Sequence, residues 1–462
     1  MRMKLYSYMT LIMLFFVSGV FAQEEGADAV EKKAEVKETS GFTLGAELRT
    51  RFEYSPSAGG RNMLVPQEIV PDINTPSGAS IWQRSRIIAN YKKDRIETHF
   101  SFHDVRPFMA NKDLNGPYAG NFWQSGNGTS LGVHEAWGKY YLIKNEDCNL
   151  GLKVGRQELA NSDGRVIWHR NWNHFNAAFD AVKLEGRNKK FDVDWDLVWA
   201  LNSVDNPTEA ETPFRNMVYM EVKKYLGDML TINALAMVET FEENGNYETS
   251  YAKNTLGVNP VLNLGALKAE GSFYKQFGKA GETGGGEDIN YSGMLYTVSA
   301  SYKMDMFTFG AGFDSYSGEA WDNDGTDNKI NQYQAVCWSG HKYFGNTDFH
   351  LRYGKNEGLS DVYLTAKAAL SKETTAMLGF HSIMFTNSPG LNAAGNEISA
   401  LGNNIDFVVT HKPDKTVTVH AGYSVMLPSS DFVEMELGQD TDAKFHGWGW
   451  MMLTFKPTFL NM

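Results

Sequence analysis

Long apolar runs are missing from this 462-residue chain. Beyond the first 22 residues no stretch approaches the roughly 20 uncharged residues that a spanning helix needs, which excludes helical membrane insertion of the body. Cysteine is scarce. Cys148 and Cys337 are too few for a disulfide framework, although export would permit one bond between them. Their plain reading is two small hydrophobes without a bond. Basic surplus is missing as well: 43 Lys+Arg against 55 Asp+Glu leave a net charge of -12, which argues against a nucleic-acid partner. No segment shows a convincing helical period, and no compact His/Cys spacing marks a metal centre.

What is present begins with a leader. Met1–Lys4 is basic, Leu5–Val20 is apolar or small, and Val20-Phe21-Ala22 precedes Gln23 in the manner of a small-residue cleavage site. Residues 1–22 therefore read as a Sec-type signal peptide. Residues 23–40, QEEGADAVEKKAEVKETS, are charged and free of aromatics, so they cannot bury enough apolar surface to order themselves and read as a periplasmic tether. The remaining segment, 41–462, is long for one ordinary domain, but barrels run long as a single unit.

Its period is two. FDVDWDLVWALN sets Val193, Trp195, Leu197 and Trp199 against Asp192, Asp194 and Asp196, and TVTVHAGYSVML sets Val417, Val419, Tyr423 and Val425 against Thr418, His420 and Ser424. In MLTINALAMVET one face is apolar, while the other mixes Thr231, Asn233 and Glu239 with Leu235 and Met237. Turns such as KKDR, KNED and KPDK alternate with much longer connections, including 55–79, 109–131, 160–177, 242–250 and 318–360. Short turns on one side and long loops on the other indicate an all-β, transmembrane antiparallel barrel with both ends periplasmic. Eight short and nine long connections imply about eighteen strands, and a hairpin inside 318–360 would add two. Closure satisfies every strand's backbone groups in lipid, which an open sandwich cannot do.

The polar faces then line a lumen. They carry Glu47, Arg49, Arg51 and Glu53, then Arg84 and Arg86, then Glu97, His99 and His103. Folding about KKDR is expected to set Arg84 opposite His103 and Arg86 opposite Ser101, away from any acid. In CNLGLKVGRQEL, Lys153 faces inward, and strict alternation would put Arg156 in lipid at a cost of ~2–4 kcal/mol at the midplane. Either Arg156 lies at the outer rim or a bulge at Gly155 turns it inward; the bulge is the favoured expectation, since a strand glycine often marks one.

Several stretches together carry a resemblance. RTRFEY, QRSRIIANY, LKVGRQEL followed by FDAVKLE, GHKYFGNTD, GLSDVYLTAKAALSKE and WGWMMLTFKP resemble the alginate export family of outer-membrane porins, from about Gly41 onward. The resemblance implies an eighteen-stranded barrel and passage of an anionic polysaccharide along an arginine-lined lumen. It implies that Arg49, Arg51, Arg84, Arg86 and Arg156 contact the polymer, with Gln157 as a hydrogen-bonding neighbour. The polar faces also carry Glu97, Asp192, Asp194, Asp196, Glu221 and Glu270, so the wall is not one positive field, and other sugars or acids fit the same frame.

Each charge has a plainer alternative. Arg49 and Arg51 share a face with Glu47 and Glu53 and are open to simple ion pairing; Arg84 and Arg86 are the better candidates for selectivity, because a guanidinium fork suits a uronate carboxylate. Arg165, Trp168, His169, Arg170 and Trp172 lie in the third long loop, where tryptophans either stack on sugar faces or belong to the interfacial girdle. Trp137, Tyr140, Trp195, Trp199, Tyr296, Tyr302, Trp448 and Trp450 are assigned to the girdle or lipid face. His99, His103 and His420 are read as polar lumen filling. GTSLG formally fits G-x-S-x-G, but Ser130 sits in a loop without the strand-to-helix elbow that motif requires. Asp322, Asp324 and Asp327 depart from calcium-loop spacing and read as a solvated loop.

The sequence thus points to a non-enzymatic outer-membrane porin, monomeric rather than trimeric and without cofactor. It would pass an anionic or neutral saccharide by diffusion, with periplasmic export or uptake partners deciding direction; a broad nutrient porin is the alternative. Cys148 lies beside a periplasmic turn and Cys337 in an outer connection. Non-reducing mass mapping is therefore expected to recover both as unlinked peptides, and a linked pair would overturn this topology.

Overall fold

The computed structural model describes residues 41–55, 78–107, 131–174, 177–202, 214–243, 246–323, 325–337, 340–351, 356–437 and 446–462. The leader, the charged segment over 23–40, Ser130 and Asp324 lie outside the described residues.

Antiparallel strands follow one another around a closed wall. The first eleven are β1 (Gly41–Ser55), β2 (Gly78–Lys93), β3 (Ile96–Pro107), β4 (Leu131–Lys144), β5 (Cys148–Gln157), β6 (Phe179–Asn188), β7 (Val193–Leu201), β8 (Asn216–Leu226), β9 (Leu230–Glu243), β10 (Asn246–Leu264) and β11 (Leu267–Glu282). A short outer strand, β12 (Asp288–Tyr291), precedes β13 (Met294–Met304) and β14 (Phe307–Tyr316). A second short piece, β15 (Lys329–Ile330), pairs in parallel with β12 and precedes β16 (Leu359–Ala369), β17 (Thr374–Phe385), β18 (Ala400–His411) and β19 (Val417–Pro428). Helix α1 (Ser430–Leu437), β20 (His446–Phe455) and β21 (Thr458–Asn461) complete the described chain. Setting aside β12, β15 and β21 from the 21 strands leaves eighteen in the wall. Among the described residues the 318–360 connection adds β15 and two short 3-10 turns, so it supplies no further pair of wall strands.

Closure comes from the ends of the chain. Arg49 pairs with Thr454 across β1 and β20, and β21 continues that edge, with Phe42 N–H donating to Met462 O at 3.0 Å. Among the described residues every wall strand is paired on both sides, which is the condition for crossing a bilayer with strands.

The short turns are built as their residues require. Asp94 and Asp305 hold the left-handed conformation at φ 49° and 51°, which aspartate tolerates better than bulky residues. One connection is shorter than expected. Only two residues separate β9 from β10, and a register shift between Asn246 and Ser250 absorbs the rest of the expected 242–250 loop.

Alternation sorts the faces, and the outward face is apolar: Ile87, Val298, Leu364, Leu378, Phe407 and Met451 are all half exposed or more. The inward face changes character along the barrel. On β7 the inward Asp194 and Asp196 give way to Val198 and Ala200, which are fully buried. On β9 the mixed inward face places Leu235 and Met237 in the same buried core. That core lies inside the outer half of the barrel, where the wall meets Val166 and Ile167 from one loop and Val336, Tyr343 and Phe344 from another.

Tyr140, Trp199, Tyr296 and Tyr302 lie on the outward face as assigned, each close to half exposed. Trp448 and Trp450 do not. They share the inward parity of β20 and are 3% and 4% exposed, because a loop tryptophan packs onto them from the lumen. Trp137 also faces inward, stacked on His99 and lying under Lys153.

Placing Val298→Arg on this outward band is expected to destabilise the barrel by ~2–4 kcal/mol, whereas Ser299→Arg on the lumen side should cost less. Urea titration of vesicle-inserted protein, read by heat-modifiable migration, measures both; equal costs would contradict the assignment of faces.

Candidate functional site: the arginine clamp and the infolded third loop

The inward residues of β1 and β2 form a compact charged cluster. Arg51 Nε donates to Glu53 Oε1 at 2.5 Å, and Arg84 Nε donates to Glu47 Oε1 at 2.8 Å. Glu47 also meets Lys456 at 3.0 Å. The register explains the second pair: Glu47 lies opposite Arg86 and Arg49 opposite Arg84, so Glu47 and Arg84 stand diagonally across two strands, whereas Arg51 and Glu53 are neighbours on one face of β1.

The β2–β3 register differs from the expected one by two residues. Arg86 lies opposite His103 and Arg84 opposite Val105, and an acid does answer Arg84, from β1 rather than β3. The long 56–77 connection had left the β1–β2 register unreadable from sequence.

These guanidiniums do more than pair. Arg49 donates to the carbonyls of Asn171 and Asn173 at 2.6 and 2.7 Å, and Arg51 donates to Trp172 O at 2.9 Å. Arg84 reaches Asn173 O at 3.3 Å and Asn171 Oδ1 at 2.9 Å. Three buried arginines thus hold one segment of the loop between β5 and β6. Arg51 also lies over the Trp172 ring, 4.8 Å from its centroid, and that ring stacks on His341 at 4.2 Å and meets Trp450 edge-on at 4.8 Å. His174 stacks on Trp82; burial, and then the neighbouring arginines, push its pKa well below the ordinary range, so it is neutral.

The same loop is fastened at distant strands. Arg165 donates to Asp314 at 2.9 Å and to the Tyr316 hydroxyl at 2.7 Å, both on β14, and lies 3.8 Å from the Tyr343 ring centroid. Asp163 accepts from Ser272 of β11 at 2.7 Å, and Ser162 N–H donates to Glu221 of β8 at 2.8 Å. Ile167 bridges to Cys337 in the loop after β14. The third loop therefore crosses the lumen from β1 and β2 to β8, β11 and β14. Arg170, at φ 51°, faces Cys337, whose thiol is pushed up to about 11 by burial against the lowering pull of that cation. Cys148, at the start of β5, is also a free thiol.

The remaining sequence-derived candidates occupy other places. Arg86 is buried beside this cluster, and its Nε and Nη2 have no hydrogen-bond partner among the described residues. No bulge forms at Gly155: β5 stays in unbroken register with β6, so Arg156 keeps the outward parity of Val154 and meets exposed Asp180 at 3.2 Å. Gly155 instead adopts φ 126°, where a Cβ would meet Ala136 O at 2.2 Å. Gln157 is fully buried and donates to the carbonyls of Gly155 and Ala181. Lys153 lies over the Trp137 ring at 3.9 Å.

Toward the short turns the lumen carries a mixed ladder. Glu97 meets Lys92 at 3.1 Å and Lys139 at 3.6 Å, and Lys183 meets Asp196 at 2.6 Å. Asp194 accepts from the Tyr225 hydroxyl at 3.1 Å, and Asp192 sits in the β6–β7 turn at φ 50° rather than in the wall. In the 321–329 loop, Asp327 accepts from Lys329 N–H and Asn331.

Sequence reasoning missed Asn171, Asn173 and Asp314. Loop carbonyls carry no residue-type signal, whereas the isolated Asp314 within FTFGAGFDSY was a visible anomaly.

Arg165→Ala would leave Asp314, 1% exposed, without its guanidinium, and removal of one partner from a buried pair typically costs about 3–5 kcal/mol. A lowered urea midpoint together with larger, noisier single-channel conductance is expected; unchanged conductance would show that the loop stays in place without this contact.

The model of the alginate export family matches residues 43–445. Among curated proteins none matches the sequence. Solved barrels align over nearly the whole chain. Pseudomonas aeruginosa OccK11 (OpdR) is 11% identical with TM-score 0.55, covering 91% of this chain and 96% of its own. Pseudomonas aeruginosa OprD gives 11% and 0.56, covering 91% and 96%, and a BenF-like porin from Pseudomonas fluorescens gives 11% and 0.56, covering 90% and 99%. At that identity the solved structures attest the fold alone, and the family match supplies the rest: this eighteen-stranded outer-membrane channel belongs to the alginate export family.

Proposed function

We propose that the channel passes an anionic saccharide or polysaccharide by diffusion, without covalent chemistry, and that selection occurs at the β1–β2 cluster. The observation that carries this reading is a local excess of cations. On the inward faces of β1 and β2 four guanidiniums, Arg49, Arg51, Arg84 and Arg86, stand with two carboxylates, Glu47 and Glu53, although the whole chain is strongly acidic. Arg49, Arg51 and Arg84 direct donors at the third loop, which narrows the lumen, whereas Arg86 has two buried donors, Nε and Nη2, without a hydrogen-bond partner among the described residues; turned into the lumen, they would suit a passing carboxylate. A bidentate guanidinium–carboxylate contact suits repeated uronate units, and clustered cations tune a pore for anions.

The ladder of Glu97, Lys139, Lys183 and Asp196 balances its own charges and favours a second reading, a broad porin for small nutrients. In either reading residues 1–22 direct Sec-type export, 23–40 form a periplasmic tether, 41–462 form the channel, and the channel works as a monomer. Periplasmic synthesis or degradation partners set the direction of flow.

Planar-bilayer recordings test this directly. The wild-type reversal potential in a salt gradient is expected to favour anions, Arg86→Ala should shift it toward cations, and uronate oligomers should block wild type more than the variant. A reversal potential and block unchanged by Arg86→Ala would remove that residue from selection and leave the broad porin as the better account.

A further inference from the structure

The register between β3 and β4 slips by one residue. Ser101 pairs with Glu135 and Phe102 with Val133, so His134 is an extra residue on β4. Adjacent residues of a regular strand face opposite sides, and a bulge re-aims one of them. His134 is accordingly 3% exposed and stacks on the inward His103 at 5.2 Å, while Glu135, opposite inward Ser101, faces the lumen as well. Two consecutive residues with ligating atoms thus point into one space.

Glu158, the first residue of the third loop, enters the same space. Its Oε1 lies 2.8 Å from His134 Nε2, and its N–H donates to Glu135 Oε1 at 3.1 Å. One atom from each of His134, Glu135 and Glu158 lies within 4.8 Å of the others. His99 stands beside them, with Nε2 3.3 Å from Glu135 Oε2. The tautomer of His99 follows from its other nitrogen. Asn90 donates its amide to Thr43 at 3.2 Å, which leaves Asn90 Oδ1 as the acceptor for His99 Nδ1 at 2.7 Å. His99 Nε2 is thereby turned toward the Glu135 carboxylate, buried and without a hydrogen-bond partner among the described residues, where a shared cation would bind both groups.

We propose that His134, Glu135 and Glu158, with His99 as fourth ligand, bind a divalent transition metal of the zinc type and tie β4 to the root of the third loop. Two imidazoles and two carboxylates suit tetrahedral zinc; its bond lengths of about 2.0–2.2 Å put ligand atoms roughly 3.3–3.5 Å apart, between the 2.8 and 4.8 Å of this cluster. Arg86 and Lys153 act on the carboxylates through space, which reduces the net negative charge and favours an imidazole-seeking ion over calcium. A metal-free pairing of His99 with Glu135 and of His134 with Glu158 is the alternative to separate.

Full-length protein, folded in detergent and stripped with chelator, is titrated with zinc chloride by calorimetry, with excess calcium as competitor and heat-modifiable migration as the check of folding. One zinc per barrel is expected, held against calcium, with affinity at least tenfold weaker in His134→Ala and in the isosteric Glu158→Gln, which covers the case of an unfolded alanine variant. Absence of stoichiometric zinc on folded wild type, or undiminished binding in the folded variants, would overturn the site and leave a metal-free histidine–carboxylate network.

Discussion

Everything inside the outer half of this barrel depends on three buried guanidiniums donating to loop carbonyls in place of water. Arg49, Arg51 and Arg84 stand on two strands whose inward faces carry only two carboxylates, Glu47 and Glu53, and an uncompensated buried charge is costly. The carbonyls of Asn171, Trp172 and Asn173 face the converse problem, since a loop folded into a lumen leaves its helix- and sheet-free backbone unsatisfied. Each side solves the other's deficit.

From that clamp the interior follows. Once the segment is held at β1 and β2 and fastened to β14 through Arg165, Val166 and Ile167 are carried into the lumen and need apolar company. The wall supplies it where Val198, Leu235 and Met237 occupy inward positions that would otherwise face water. The barrel thus has two interiors: an outer packed one around the loops and an inner polar one where Lys139, Lys183, Glu97 and Asp196 pair with each other. Arg86 and the His134 cluster lie near the root of the loop that divides them, which makes this region the natural place to set what passes.

Much of the fold was legible because its signals are local. Alternation over β7 and β19 and the Asp- and Gly-bearing turns depend on residues a few positions apart, and lipid demands closure once such strands exist. The site was legible only in part. Arg49, Arg51, Arg84 and Arg86 stood out as inward cations, yet the partners of Arg84 at Glu47 and of Arg49, Arg51 and Arg84 in the third loop lie more than 30 positions away. Trp448 and Trp450 read as girdle residues because their sequence context matches that of lipid-facing tryptophans; Trp172, arriving from another loop, makes them a core. The Gly155 bulge was a reasonable inference from a glycine before an arginine, but exposed Asp180 at the same rim gives Arg156 an outward partner.

Sequence by itself determined the strand period, the asymmetry between short and long connections, the count of wall strands and the set of charges available to line the wall. Those are properties of neighbours along the chain, and they persist however the loops fold. Tertiary structure alone decided which charges meet, which way the third loop turns, and that a one-residue slip on β4 brings His134, Glu135 and Glu158 together with His99. Register across a long connection and the path of a loop are set by the summed fit of distant groups, so neither is written in any single stretch of residues.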